Sequence, residues 1–403
     1  MIESIVSKSL SITQVLDQIL NAGFASGGSF AIWRKPKSNT LELIFDGQET
    51  PRKVNLQLEQ LPSGFIVHPF EDQEDKQAFF IEATHYWNWK LDQQIQKEDL
   101  PEWTKVATDI SHQEYLKSVQ RINVLSNSYP KNKDGESQEH FIELVEKSIQ
   151  SIQDGYLEKV VPARTKSFEI PENFDLAIAI KNLLQSSPNS FVNFFHIPKI
   201  GTWLGASPEV LIETKGDEFF TMSLAGTQAA KGENPLKTAA WTQKEIEEQA
   251  LVCRYIVDCF KRIRLREYEE HGPKTVMAGS LLHLRSDFRV NMKATNFPQL
   301  GSIMLELLHP TSAVCGMPRK EAHDFLKKFE GFDRSFYAGF IGPVNIQDET
   351  SIFVNLRTAS FQDGKVTLYA GAGVTEESDP QKEWEETEMK CEIIGKFIQK
   401  SQA

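Results

Sequence analysis

From Leu157 onward the chain reads as a succession of short apolar runs, and this feature limits its fold more than any other. KVVPARTKSFEI, SFVNFFHI, TWLGAS and EVLIETKGDEFFTMSLAGT follow one another, and SIFVNLRTASF, a QDGK turn and VTLYAGAGV come later. Each is rich in β-branched and aromatic residues and is bounded by turn formers, which predicts strands. Three stretches switch to apolar spacings of three and four, as helices with one buried face require. They are FIELVEKSIQSIQDG over 141–155, ending at Gly155, then WTQKEIEEQALVCRYIVDCFKRI, and PQKEWEETEMKCEIIGKFIQ with Pro380 near its start. Strands and helices do not alternate regularly, and neither a fixed repeat nor a low-complexity tract appears. The expected class is α+β.

The first 125 residues read as a helix at the chain start and then short strands, FAIWRK and TLELIFDG, around a KSN turn. Residues 126–140, SNSYPKNKDGESQEH, are polar with Pro and Gly and read as a connection to a chemistry-bearing region over 141–395. A chain of 403 residues that is 40% hydrophobic and 25% charged can bury a core unaided. Its formal charge of −12 repels nucleic acid, so an anionic small ligand would need local positive charge or a metal. Cys253, Cys259, Cys315 and Cys391 have neither C-x-x-C spacing nor disulfide density, which points to a reducing compartment. The start lacks the features of a signal peptide, and no run reaches the roughly 18 apolar residues of a membrane span. The expected location is the cytoplasm, without membrane insertion.

Glu383, Glu386 and Lys390 share a face of the last helix, where a Glu386–Lys390 ion pair on a solvated surface is the ordinary alternative. The AGAG turn over 370–373 leaves a strand that leads to this helix, and its backbone could approach a carboxylate closely. The earlier helix carries Glu245, Glu247 and Glu248, of which one can face inward. Two glutamates from two helices, completed by water and ligand oxygens, suit Mg²⁺ better than zinc. Lys159 lies within an apolar strand, where burial would make it a base; a water-facing edge lysine is the alternative. Glu209 follows Pro208 at the beginning of another strand, where burial would make it an acid and partial exposure would not.

Taken together, LEKVVPAR, GASPEVLIE, SLAGTQ, LHPTSAVCG, FDRSFYAGFIG, VNLRTA, YAGAGV and EWEETEMK resemble, in order and spacing, the chorismate-utilising enzymes. These include isochorismate, salicylate, anthranilate and aminodeoxychorismate synthases. The resemblance covers about 140–395 and implies two antiparallel sheets packed in a core with helices outside, the N-terminal residues completing the fold. It implies Mg²⁺ held by Glu248 and Glu386 with Glu383 close by. Gly226, Thr227 and Lys390 would meet the ring carboxylate, Tyr337, Arg357 and Gly371 the enolpyruvyl carboxylate, and His283 would face the ring.

Members that use water as nucleophile carry lysine where Lys159 stands, so the resemblance implies hydration at ring carbon 2 with Lys159 as base. Glu209 would be the acid that helps the carbon 4 hydroxyl leave, and the product would be isochorismate. Ala313 separates the sequence from relatives that go on to eliminate pyruvate to give salicylate. Retention of Lys159, Glu209, Glu248 and Glu386 together argues against a silent chorismate-binding subunit. No segment resembles a glutaminase, and a monomer is expected. Whether the product serves menaquinone, a siderophore or salicylate depends on neighbouring enzymes. The sequence departs from the family pattern at Gln249, where histidine is usual, at Glu245, where aspartate is common, and at Cys315, where serine or glycine is usual.

Overall fold

The strand Phe191–Ile197 shows how the chain satisfies its apolar runs. All seven residues are buried. Successive side chains on a strand point to opposite faces, so a strand apolar at both odd and even positions needs cover on both sides. Phe191 stacks on Phe353 of the facing sheet at 4.0 Å between ring centroids. Phe194, on the other face, meets Phe24 of a covering helix edge-on at 6.2 Å. The protein is therefore layered: helices, a sheet, an aromatic core, a second sheet and further helices.

The computed structural model describes residues 9–71, 76–105, 111–118, 133–279 and 281–399. Among the described residues one sheet has eight strands in the order Ala163–Glu169, Lys365–Gly371, Thr358–Gln362, Gly201–Ser207, Phe191–Ile197, Ser29–Arg34, Thr40–Asp46 and His85–Lys90. The other has nine, in the order Glu269–Ala278, Leu281–Asn291, Glu218–Ala229, Val210–Lys215, Glu349–Val354, Phe340–Val344, Gly64–His68, Ala78–Glu82 and Arg52–Val54. Every pairing within them is antiparallel. The fold class is α+β, and strands from before residue 100 pair directly with later ones in both sheets.

Trp33, Phe65, Phe195, Trp203 and Phe353 fill the space between the sheets. The outer face of the eight-stranded sheet is covered by Ile12–Ala25, Leu176–Ser186 and Pro380–Gln399, through residues such as Leu16, Ile180 and Ile394. Helix Gln243–Arg262 packs on strand Glu218–Ala229 of the other sheet. Among the described residues no helix is long and apolar enough to cross a membrane.

Two boundaries differ from expectation. The first helix is Ile12–Ala25, because Ser11 and Gln14 form a capping box that fixes its start. The helix expected over 141–155 spans Gln138–Gln153, because the Ser137 hydroxyl accepts the His140 N–H at 3.2 Å. The polar connection expected over 126–140 therefore yields its last three residues to that helix, and residues 126–132 of it lie outside the described residues.

The chain changes sheets at two places that matter for chemistry. Gly201–Ser207 belongs to the first sheet and Val210–Lys215 to the second, so Pro208 and Glu209 form the crossing. Glu349–Val354 and Thr358–Gln362 are likewise in different sheets, and Arg357 lies in that crossing with φ +50. The two crossings run side by side: Val354 N–H donates to Glu209 O at 3.1 Å, and Ala206 N–H to Arg357 O at 3.0 Å. At such a seam neither sheet supplies a continuous ladder, which leaves room for a cavity.

Candidate active site

A cavity of about 630 Å³ opens at this seam. One wall is the crossing pair, with Glu209, Leu356 and Arg357. The opposite wall carries Glu248 from helix Gln243–Arg262, with Glu386 and Lys390 from helix Pro380–Gln399. The strand pair Glu218–Ala229 and Leu281–Asn291 contributes a register shift between Ala225 and Gln228, where Gly226 and Thr227 bulge into the lining. Gly226 has φ +66, a conformation glycine adopts without strain. Its N–H donates to Glu248 Oε2 at 3.3 Å, and its carbonyl faces His283 Nδ1 at 2.8 Å.

On the helical wall each glutamate has its own ammonium partner. Lys159 Nζ lies 2.9 Å from Glu248 Oε1, with the lysine side chain 0% exposed. Lys390 Nζ lies 2.8 Å from Glu386 and donates to the Gly371 carbonyl at 2.7 Å. Glu383, one turn before Glu386 and buried, bonds to Lys244 from the facing helix. Burial pushes the Glu248 carboxyl up, but Lys159 and Lys244 more than offset it and hold it below its ordinary value. The backbone comes close here as well: a Cβ on Gly373 would stand 2.2 Å from Glu248 Oε1, so only glycine leaves that carboxylate its place.

At the crossings the balance is reversed. Glu209 is buried, and desolvation raises its pKa to about 8 despite the opposing fields of Lys159, Lys390 and Arg357. At neutral pH it is a carboxylic acid, able to donate a proton. Arg357 is buried too, and its pKa falls to about 10 by desolvation, with Glu386 and Glu209 resisting the fall; it stays charged at neutral pH. Arg357 Nη2 lies 2.5 Å from His283 Nε2, and Nη1 donates to Ala278 O at 3.0 Å. Burial and the neighbouring Arg357 keep His283 neutral, well below the usual histidine value. A carbonyl on one side and a guanidinium on the other fix its tautomer: Nδ1–H donates to Gly226, and Nε2 accepts from Arg357.

Residues 65–399 match the family model described as chorismate binding enzyme. The chain belongs to the chorismate binding enzyme family. Isochorismate synthase EntC of Escherichia coli (strain K12) is 27% identical over 245 residues, 59% of this chain and 61% of its own. The chain thus matches about three fifths of that relative's length. The vibriobactin-specific isochorismate synthase of Vibrio cholerae serotype O1 is 27% identical over 289 residues, 70% of this chain and 72% of its own. In fold the chain is similar to MenF, the menaquinone-specific isochorismate synthase of Escherichia coli, with TM-score 0.71 and 21% identity over 94% of this chain and 91% of that one.

In this member of the chorismate binding enzyme family, the residues singled out in the sequence fall in one place. Glu209, Gly226, Thr227, His283 and Ala313 line the cavity, as do Tyr337, Arg357 and Gly371, and Glu248, Glu386 and Lys390. Lys159 stands directly behind, against Glu248, and Glu383 lies behind Glu386 in contact with Lys244. The Glu386–Lys390 pair does exist, but on the cavity wall and not on a solvated surface. Of the acidic run in the earlier helix, Glu248 turns inward, Glu245 caps Thr242 and Glu247 is exposed. Gln249, where histidine is usual, is buried and donates to Ser223 Oγ at 2.7 Å, tying the helix to the bulged strand.

Sequence reasoning missed Lys244. The signal was there: it precedes Glu248 by four residues and so shares its helical face, within a stretch whose negative charge needs balancing. Carboxylate oxygens from two helices are the hard donors a magnesium-sized ion prefers. Among the described residues no three His, Cys, Asp or Glu side chains converge into a complete metal cage. Glu248 and Glu386 are two such donors, one from each helix.

Proposed function

We propose that this chain converts chorismate to isochorismate, adding water at ring carbon 2 and expelling the carbon 4 hydroxyl. The observation that carries the reading is a buried lysine just behind one wall of the cavity, against Glu248, and a neutral buried carboxylic acid on another wall. Water attack needs a group that accepts a proton, and hydroxide departure needs one that gives it. Lys159, fully buried beside Glu248, is the acceptor once it has released the proton it carries in that ion pair; Glu209, with a pKa of about 8, is the donor.

Chorismate is a dianion, and Arg357 and Lys390 bring two cations to the cavity lining in a chain whose net charge is −12. Arg357 offers a planar fork to the enolpyruvyl carboxylate, with Tyr337 and the Gly371 backbone beside it. Lys390 and the bulge at Gly226 and Thr227 face the ring carboxylate. Glu248 and Glu386, with Glu383 behind them, would hold Mg²⁺, which when bound supplies charge to anchor that carboxylate and steady the allylic displacement. His283 keeps Arg357 aimed, since its fixed tautomer gives the guanidinium an acceptor.

Incubating the pure protein with chorismate and Mg²⁺ and separating the products by chromatography tests the reading. Isochorismate alone supports it. Salicylate with pyruvate would move the chain to the lyase-competent branch, and unchanged chorismate would refute the activity.

A further inference from the structure

Lys244 has no task in the reaction just described, yet Glu383, Glu386 and Glu248 surround it with negative charge. Its ammonium bonds to Glu383, a carboxylate 1% exposed. It sits one helical turn before Glu248, and Glu383, Glu386 and Glu248 all act on it electrostatically. Only a fifth of its side chain is exposed. Glu248 and Glu386 are already matched by Lys159 and Lys390, which the reaction employs elsewhere. Lys244 does not line the cavity; its polar contact is with a carboxylate.

A charge placed among one buried and two half-buried carboxylates stabilises them, and its removal leaves them repelling one another. A divalent ion bound there would supply the same neutralisation. The two cations therefore serve one cluster, and each lowers what the other can gain.

We propose that Lys244 is an internal counter-cation that holds Glu383 and the neighbouring carboxylates while no divalent ion is bound, and that it competes with that ion for them. The proposal rests on the magnesium reading above and adds to it a residue that sets how readily the ion enters.

The test is calorimetric titration of the full-length chain with MgCl₂, without chorismate, for the wild type, Lys244→Met and Lys244→Arg, with thermal melting of each in chelator. Lys244→Met should bind the ion about tenfold more tightly than the wild type, since a like charge has been removed from beside the site. It should also melt lower without metal and regain the difference with it. Lys244→Arg, which keeps the charge, should behave as the wild type. Lys244→Gln serves the same comparison if the methionine variant does not fold. Magnesium binding to the uncharged variants that equals or falls below that of the wild type overturns the proposal and leaves the metal reading intact. If neither wild type nor variant binds the ion, even with saturating chorismate, the metal reading fails and the proposal with it.

Discussion

The two walls of the cavity treat the same side chain in opposite ways. On the helical wall Glu248, Glu383 and Glu386 each have a lysine within bonding distance, and neighbouring ammoniums hold Glu248 ionised. At the strand crossings Glu209 is buried, but among the described residues no cation lies within ion-pair distance of it, and burial raises its pKa to about 8. Residue type and burial are therefore insufficient to assign a role. Between Glu248 and Glu209 the cationic partner decides between an ion holder and a proton donor, whereas at Glu383 burial outweighs Lys244 and raises the pKa to about 7.

Removing the base should break this division most severely. Lys159→Ala should lower kcat for chorismate by about 10³-fold, in the range general-base removal produces, with the circular dichroism spectrum unchanged. Near-native turnover would show that Lys159 is not the base. Next, Glu209→Gln should lower kcat by about 10²-fold, because the amide keeps the shape and cannot give up a proton in the same way. For the wild type, kcat/KM should fall as pH rises through about 8, and this limb should be missing from the residual rate of the variant.

Glu209 also carries a stability signature. Its folded pKa of about 8 exceeds the ordinary 4.5, so between these values the unfolded chain releases a proton that the folded protein keeps. Folding stability from this group is complete below about 4.5, declines across the window, and is lost as pH passes 8. Denaturant melts of Glu209→Gln should therefore gain on the wild type by a few kcal/mol between these pH values. Equal pH dependence would mean that the acid is not held neutral.

A smaller effect is expected at Arg357→Lys, which keeps the charge but loses the fork: KM for chorismate should rise about tenfold, with kcat changed less. Smallest should be Glu386→Gln, which leaves Glu248 and Glu383 in place. It should raise the magnesium needed for half-maximal rate by about threefold to tenfold, at little cost to the rate at saturation.

Much of the helical wall was legible in the sequence, because helical periodicity ties spacing to direction. Glu383, Glu386 and Lys390 had to share a face, and one of the three early glutamates had to turn inward. The strand-based half was harder. That Lys159 is buried depends on Gly316–Met317 pairing with its two-residue strand, and on Val374 bridging to Val160. Those contacts join positions more than 150 residues apart and leave no local trace. Glu209 and Arg357 lie at sheet changes, and sheet membership follows from partners, not from apolar alternation. The His283 tautomer was equally hidden, since it follows from a glycine carbonyl and a guanidinium brought together by the fold. Helix starts at Ile12 and Gln138 turned on single capping serines, a finer signal than the apolar pattern.

The central claim is that the two walls act on opposite ends of one displacement, water entering at one ring carbon as hydroxide leaves another. Turnover of chorismate by the wild type with Mg²⁺ in water enriched in ¹⁸O, followed by mass spectrometry and NMR of the product, addresses it directly. Isochorismate carrying one ¹⁸O, on carbon 2, is the expected result. Isochorismate without label would mean that the hydroxyl migrates within the substrate, and the division of labour between Lys159 and Glu209 would be contradicted.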